Sequence, residues 1–334
     1  MIAEQLQSLK IGSLKLANPL LLAPLSGISD LPFRLLAKEQ GCALVSTEMI
    51  SAEGLLHNQK ASERLLQSRP EERPLAVQIF GCRPESMGQA ARIVEGLGAD
   101  AVDINMGCPA RKVVRGGSGA ALLKDPERAK EIIREVRKAI SIPLTVKIRS
   151  GWDEKNLNFL DMAGMAEDLG VDALILHGRA RSQGYRTRAD WEVIGRAQEK
   201  LRIPVIGNGD LTSAPAVVDF FARTGCAGAM IGRGALGNPW IFRQTLNMLQ
   251  GQPCHEPSLE EKEDTVLRHL KMMVERRGEV YGLREFRKHL IWYTRGLRGC
   301  TEFRSHIGFW NTASEVSERV HGFFQNLRNL PLFS

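Results

Sequence analysis

Residues 101–148 read AVDIN, MGCPARKVVRGGSGAALLKD, PERAKEIIREVRKAI, SIP and LTVKI in succession. Two nearly continuous apolar runs, 101–105 and 144–148, flank a stretch with helical spacing, 126–140. Asp125 stands as its N-cap and Pro126 at its first helical position, where a missing N–H costs nothing. Runs of that kind suit strands buried on both faces, so the segment predicts two parallel strands joined by a crossover helix. The unit repeats along the chain. Further runs fall at 19–24, 43–49, 75–80, 173–177, 204–207 and 229–231, eight in all, with helical pattern in most gaps. Eight strand–helix units over about 240 residues predict an α/β fold, a (β/α)8 TIM barrel. A doubly wound sheet, which needs fewer strands and one switch point, ranks second.

The repeat stops near Leu249. Gly251, Gln252 and Pro253 read as a linker, and Ser258 with Glu261 forms an S-x-x-E capping box opening a new helix. The expected organisation is therefore a barrel over 1–249 and a smaller all-helical C-terminal domain over 254–334. Composition agrees with a folded protein of this size: 334 residues, 43% hydrophobic and 25% charged, exclude a disordered or collagen-like chain. Lys plus Arg exceed Asp plus Glu by 45 to 38, a net +7 that permits a polyanionic partner without demanding one. No secretory signal and no run of about 18 apolar residues is evident, so no membrane partner is expected. The six cysteines form no C-x-x-C pair, which fits a reducing cytoplasm better than a zinc ribbon or a disulfide framework.

Chemistry-capable residues recur where the strands end, and in such barrels that rim builds the active site. Gln78, Asn105, Lys147 and His177 lie late in their runs; Asn208, Asp210 and Arg233 follow theirs. Gly207–Gly209 and Gly232–Gly234 suit backbone approach to a phosphate, or are simply tight turns. Lys147, in an apolar strand, is either paired structurally or stabilises negative charge on a cofactor ring. His177 reads as a core histidine or as a rim ligand. Gln78 offers a donor and an acceptor to the edge of a planar heterocycle, or a structural bond. Cys108, in a glycine-flanked loop, differs from the structural cysteines expected elsewhere: a free thiol, titrating near 8.5, is protonated at neutral pH and serves as an acid. Across 283–298, Arg284, Arg287, Lys288, Arg295 and Arg298 share one helical stripe, with Leu283, Phe286, Leu290, Tyr293 and Leu297 opposite. The window 281–310 holds six basic and two acidic residues, so the stripe is a solvated face or a contact to an RNA backbone.

These motifs together resemble the tRNA-dihydrouridine synthases. Asp103-Ile104-Asn105-Met106-Gly107-Cys108-Pro109 resembles the family hallmark. Ala23-Pro24-Leu25-Ser26-Gly27, Val77-Gln78-Ile79, Val146-Lys147-Ile148-Arg149, His177-Gly178-Arg179, Gly207-Asn208-Gly209-Asp210, Ile231-Gly232-Arg233-Gly234 and Gly237-Asn238-Pro239-Trp240 follow in family order. The chain is most similar to the bacterial B-type enzymes. Leu25 stands where methionine is common, a swap that conserves size and hydrophobicity. The resemblance implies FMN reduced by NADPH, and a uridine of tRNA as substrate. FMN would be held by Pro24, Leu25, Ser26, Gln78, Lys147, His177, Asn208, Gly209, Asp210, Gly232 and Arg233. Asn105 and Cys108 would face the uracil, Cys108 as the acid protonating C5, and the helical tail would bind tRNA. Arg179, Arg181 and Arg186 are further candidates for substrate contact. No obligate protein partner is implied, and a monomer needs no extra assumption. The rival readings are a dihydroorotate-type FMN dehydrogenase acting on a free pyrimidine, and a non-catalytic tRNA chaperone.

Overall fold

The computed structural model describes residues 8–57, 59–184 and 187–330. A hairpin of β1 (Lys10–Ile11) and β2 (Leu14–Lys15) precedes β3 (Leu20–Leu22), β4 (Val45–Ser46), β5 (Ile50–Ser51), β6 (Leu75–Phe80), β7 (Ala101–Met106), β8 (Leu144–Arg149), β9 (Ala173–His177), β10 (Val205–Asn208) and β11 (Gly228–Ile231). All strands from β3 onward pair in parallel, in the order β3-β11-β10-β9-β8-β7-β6-β4. A bridge between Leu21 and Leu44 joins the two ends, so the sheet is an eight-stranded barrel. The crossover helices follow the sequence pattern; the helix Pro126–Ala139 opens on Asp125, whose carboxylate accepts from Arg128 N at 3.1 Å, and buries Ala129, Ile132, Ile133 and Val136.

The second barrel strand departs from expectation. The run 43–49 is split into β4 and β5, because Ser46 pairs with Ala76 but Ile50 with Ile79: four residues advance against three. This is a bulge, which is common at barrel rims. The Thr47 hydroxyl fills the interrupted ladder by accepting from Gln78 N at 3.2 Å. Met49, in the bulge, faces the barrel mouth.

Apolar side chains fill the N-terminal end of the barrel. Small residues (Ala43, Ala76, Ala101, Ala173) alternate with Leu21, Ile175, Ile206 and Met230, and the hairpin presses Ile11, fully buried, beneath them. That apolar packing plugs the end of the barrel where the strands begin, and the barrel's cavity lies at the opposite, C-terminal end.

The tail comprises Leu259–Arg277, Glu279–Tyr293, Cys300–Ser305 and Ala313–Arg328. Its core of Val266, Leu270, Met273, Leu283, Phe286, Leu290 and Val320 also takes in Trp240 from the end of the barrel. Half of the expected capping box forms: Ser258 Oγ accepts from Glu261 N at 3.2 Å, while the Glu261 carboxylate pairs with Arg243 at 2.8 Å and ties tail to barrel. Arg268–Glu39 and Arg276–Asp30 make the same connection. The helix expected to run through Arg298 ends at Tyr293, since Gly296 and Gly299 adopt left-handed φ of 83° and 75°. Arg295 and Arg298 therefore lie beyond the helix, and the five-residue stripe is broken.

His269 and His289 meet at this junction, ring centroids 4.4 Å apart and both fully buried beside Phe33. His269 Nδ1 bonds the Tyr293 hydroxyl at 3.1 Å, whereas neither nitrogen of His289 has a partner among the described residues. Burial pushes His269 down to about 3 and His289 well below the usual range. The unfolded chain therefore binds more protons between pH 6.5 and 3, and stability falls as pH drops through that window. Asp30, pushed up to about 6 by burial, acts oppositely but with a single proton. His289→Phe is expected to lose about 1.4 kcal/mol less stability per pH unit below 6 than the parent. Denaturant melts at pH 7.5, 6 and 5 measure this; parallel slopes would refute it.

Candidate active site

A cavity of about 630 Å³ opens at the C-terminal end of the barrel. All eleven residues expected to hold FMN line it, together with Asn105 and Cys108. Barrel closure explains the convergence: residues as far apart in sequence as Pro24 and Arg233 meet on one ring. Strand register sets the neighbours, Asn105 opposite Lys147 and His177 opposite Asn208.

A chain of hydrogen bonds leads to Cys108. Buried Asp103 accepts from Thr145 Oγ1 at 2.6 Å and from Gln78 Nε2 at 2.5 Å. Gln78 Oε1 accepts from Asn105 Nδ2 at 2.8 Å. Asn105 Oδ1 in turn accepts from the backbone N–H groups of Gly107 at 3.2 Å and Cys108 at 2.9 Å. Each amide is thereby oriented, and the Cys108 loop hangs from the barrel wall. Gly119 closes it from behind; at φ +62°, a Cβ there would stand 2.8 Å from the Cys108 carbonyl.

The opposite wall is cationic. Lys147 Nζ donates to Asn208 Oδ1 at 3.0 Å, and Asn208 Nδ2 donates to Met230 O at 2.7 Å. Burial, then the neighbouring Arg149, push the Lys147 ammonium below its ordinary range; Asp103 and Cys108 pull the other way. His177 is pushed well below its usual value by burial and by Lys147, Arg149, Arg179 and Arg233. It is neutral at pH 7. Arg179 can only donate, so His177 Nε2, 3.3 Å away, is the acceptor and the proton sits on Nδ1. Asp210, at a strained φ of 55°, accepts from Arg179 at 2.6 Å, Arg233 at 3.2 Å and Ala189 N at 2.8 Å. Burial raises its pKa, but the Arg179 bonds, the Ala189 N–H and the charges of Arg179 and Arg233 together outweigh this and hold it below the usual range.

The basic residues expected to contact substrate differ in their surroundings. Arg179 is 2% exposed, and its guanidinium bonds Asp210, Thr187 O and His177 within the protein. Arg181 is half-buried over the Trp152 ring, 4.4 Å from its centroid. Arg186 lies outside the described residues. In the tail, Arg287 donates to Trp310 O at 2.9 Å and Lys288 to the Gly27 carbonyl on the barrel rim. Arg284, Arg295 and Arg298 are exposed.

The sequence reading assigned no role to Arg149, Met49 or Asp103. Arg149 was findable: it stands two positions after Lys147 in the same strand, and alternation puts both on one face. It donates to the carbonyls of Gly107 and Ala180 and lines the cavity. Met49 depends on the bulge, which no local pattern marks.

The cavity fits a flavin mononucleotide by its chemistry. Its size falls within the ~300–1,000 Å³ of small-molecule pockets. One side presents amides and a lysine cation suited to a heterocycle. Another presents Gly209, Gly232 and Arg233, where backbone N–H groups and a guanidinium suit a phosphate. Gly209, at φ +125°, would with a Cβ stand 2.9 Å from the His177 ring, so only glycine keeps that wall open.

A family model described as dihydrouridine synthase matches residues 21–328. A tRNA-dihydrouridine synthase B of Pasteurella multocida is 40% identical over 317 residues, 95% of this chain and 96% of that protein. A tRNA-dihydrouridine synthase B of Pseudomonas putida is 39% identical over 326 residues, 97% and 96%. Among solved structures, a 2-naphthoyl-CoA reductase complex superimposes with a TM-score of 0.58 at 13% identity, covering 76% of this chain; the chain spans about half, 53%, of that protein. At that identity the likeness is one of fold.

Proposed function

The chain belongs to the dihydrouridine synthase family, and we propose that it reduces the 5,6 double bond of a D-loop uridine in tRNA, using FMN with NADPH as reductant. The observation that carries this reading is the shared cavity. Cys108 and Lys147 leave adjacent strands to line one pocket, and the Cys108 loop is held by a relay of oriented amides.

Pro24, Leu25, Ser26, Gln78, Lys147, His177, Asn208, Gly209, Asp210, Gly232 and Arg233 would hold FMN. Bound and reduced, FMN supplies a hydride for C6 of the uracil. Cys108 holds the proton that C5 requires, so the thiol becomes a thiolate as the ring gains two hydrogens. Asn105 keeps the Cys108 backbone in place beside the substrate. Lys147 stabilises negative charge at the cavity wall, where burial strengthens its field. His177 donates from Nδ1 without adding charge. Asp210 acts by fixing Arg179 and Arg233.

In this reading residues 1–249 form the catalytic barrel and 254–334 the tRNA-binding region, working as a cytoplasmic monomer. Among the described residues no helix is long and apolar enough to cross a membrane.

The purified protein is expected to be yellow, with a flavin spectrum. It is expected to oxidise NADPH in step with dihydrouridine formation in unmodified tRNA, and not with free uracil or orotate. Turnover of a free pyrimidine without turnover of tRNA would assign it instead as a pyrimidine dehydrogenase. A colourless protein that binds tRNA would be a chaperone.

A further inference from the structure

The helix Arg111–Arg115 follows the Cys108 loop directly, its N-cap Ala110 lining the cavity. Buried Val113 pins it, and Arg111, Lys112 and Arg115 are exposed. Between Asp103 and Asp125 the chain holds four basic residues and no acidic one. The contrast with the helix Pro126–Ala139 is instructive. There three of the five cations pair with carboxylates three positions away, Arg128–Glu131, Lys130–Glu127 and Lys138–Glu135, and a fourth, Arg137, pairs with Asp172. An ordinary solvated face is neutralised in that way. Among the described residues, Arg111, Lys112 and Arg115 have no carboxylate partner.

Two further cations stand on Trp152 at the same rim, whose loop also carries Asp153 and Glu154. Trp152, after β8, carries Arg181 at 4.4 Å and Lys124 at 5.0 Å from its ring centroid. The place of this surface in the ring matters most. The tail meets the rim beside β3, where Lys288 reaches the Gly27 carbonyl, and beside β11, where Gly237 abuts the Trp292 backbone. Those are the first and eighth barrel strands. β7 and β8 are the fourth and fifth, and in an eight-membered ring they stand across the mouth.

We infer that Arg111, Lys112 and Arg115, continued by Lys124 and Arg181 on Trp152, form a second RNA-phosphate contact, opposite the tail across the cavity mouth. This rests on the tRNA reading above. A strand gripped on one side only swings about that grip. Footings on both sides hold its phosphates while the base between them leaves its stack and enters the cavity. The contact is to phosphate charge and carries no base specificity.

The test uses an unmodified tRNA transcript and the full-length protein, with Kd measured by filter binding at several salt concentrations. Arg111→Ala/Lys112→Ala/Arg115→Ala is expected to weaken binding at least tenfold and to flatten the plot of log K against log salt by about two units, from the loss of three phosphate contacts. Arg111→Lys/Arg115→Lys keeps the charge and is expected to bind within twofold of the parent. Circular dichroism and melting temperature establish that each variant is folded; Lys112→Ala alone, at an exposed position, gives the same direction of change on a smaller scale. A folded triple variant with the parent's Kd and salt slope overturns the second footing and leaves the tRNA reading intact. A parent protein that does not bind tRNA overturns both.

Discussion

Cys108→Ala is expected to retain flavin and tRNA binding while losing on the order of 10²- to 10⁴-fold in dihydrouridine formation, the usual contribution of a positioned acid. The variant is clean because the local fold uses only the Cys108 backbone. Its N–H is held by Asn105 Oδ1, and its carbonyl accepts from Ala120 N at 3.1 Å. The thiol makes no bond among the described residues, so truncation removes the proton donor and leaves the loop suspended as before. The clearest measurement is a single turnover: photoreduced enzyme mixed with unmodified tRNA, with flavin reoxidation followed optically. The parent rate in the alanine variant would show that the proton comes from elsewhere.

The largest stability effect is expected at Glu72. Arg34 and Glu72 are 1% and 0% exposed and joined by two bonds of 2.6 and 3.0 Å. Arg34 also donates to Ser29 O at 2.9 Å and Gln67 O at 2.7 Å. Glu72→Ala leaves a buried guanidinium without its counter-charge, which costs about 3–5 kcal/mol. The consequence is not confined to the core. Arg34 anchors Ser29, and the next residue, Asp30, receives Arg276 from the tail at 3.3 Å. Loosening that segment loosens the seat of the tail on the barrel. Denaturant unfolding measures the loss, and a change below 1 kcal/mol would show that the pair contributes little. Replacing both partners, Arg34→Met/Glu72→Leu, is expected to restore most of the stability, since neither charge of this pair is then left buried without the other.

Strand positions were largely legible. The runs at 75–80 and 173–177 match β6 and β9 to the residue, and 101–105 and 144–148 each fall one short. Such strands are apolar throughout because they are covered on both faces, and that property is carried by adjacent residues. The helix opening at Asp125 was legible for the same local reason. Cation partners were not. Arg179 and Lys147 look alike as basic residues at strand ends, yet one is consumed by Asp210 and the other faces the cavity. The difference comes from a carboxylate 31 residues away, turned inward by a left-handed backbone. The Gly296 and Gly299 turns cut short a basic stripe that a helical wheel continues to Arg298.

Local order along the chain, including strand period, helix caps and the motifs at strand ends, is written in neighbouring residues, because backbone sterics and alternating burial act over a few positions. The bulge at Thr47, the relay from Asp103 to Cys108 and the placement of the tail across the mouth from Arg111 arise only when the ring closes. Closure brings together groups 25 to 261 residues apart, and which of them then pair is a matter of three-dimensional distance and competition for each charge.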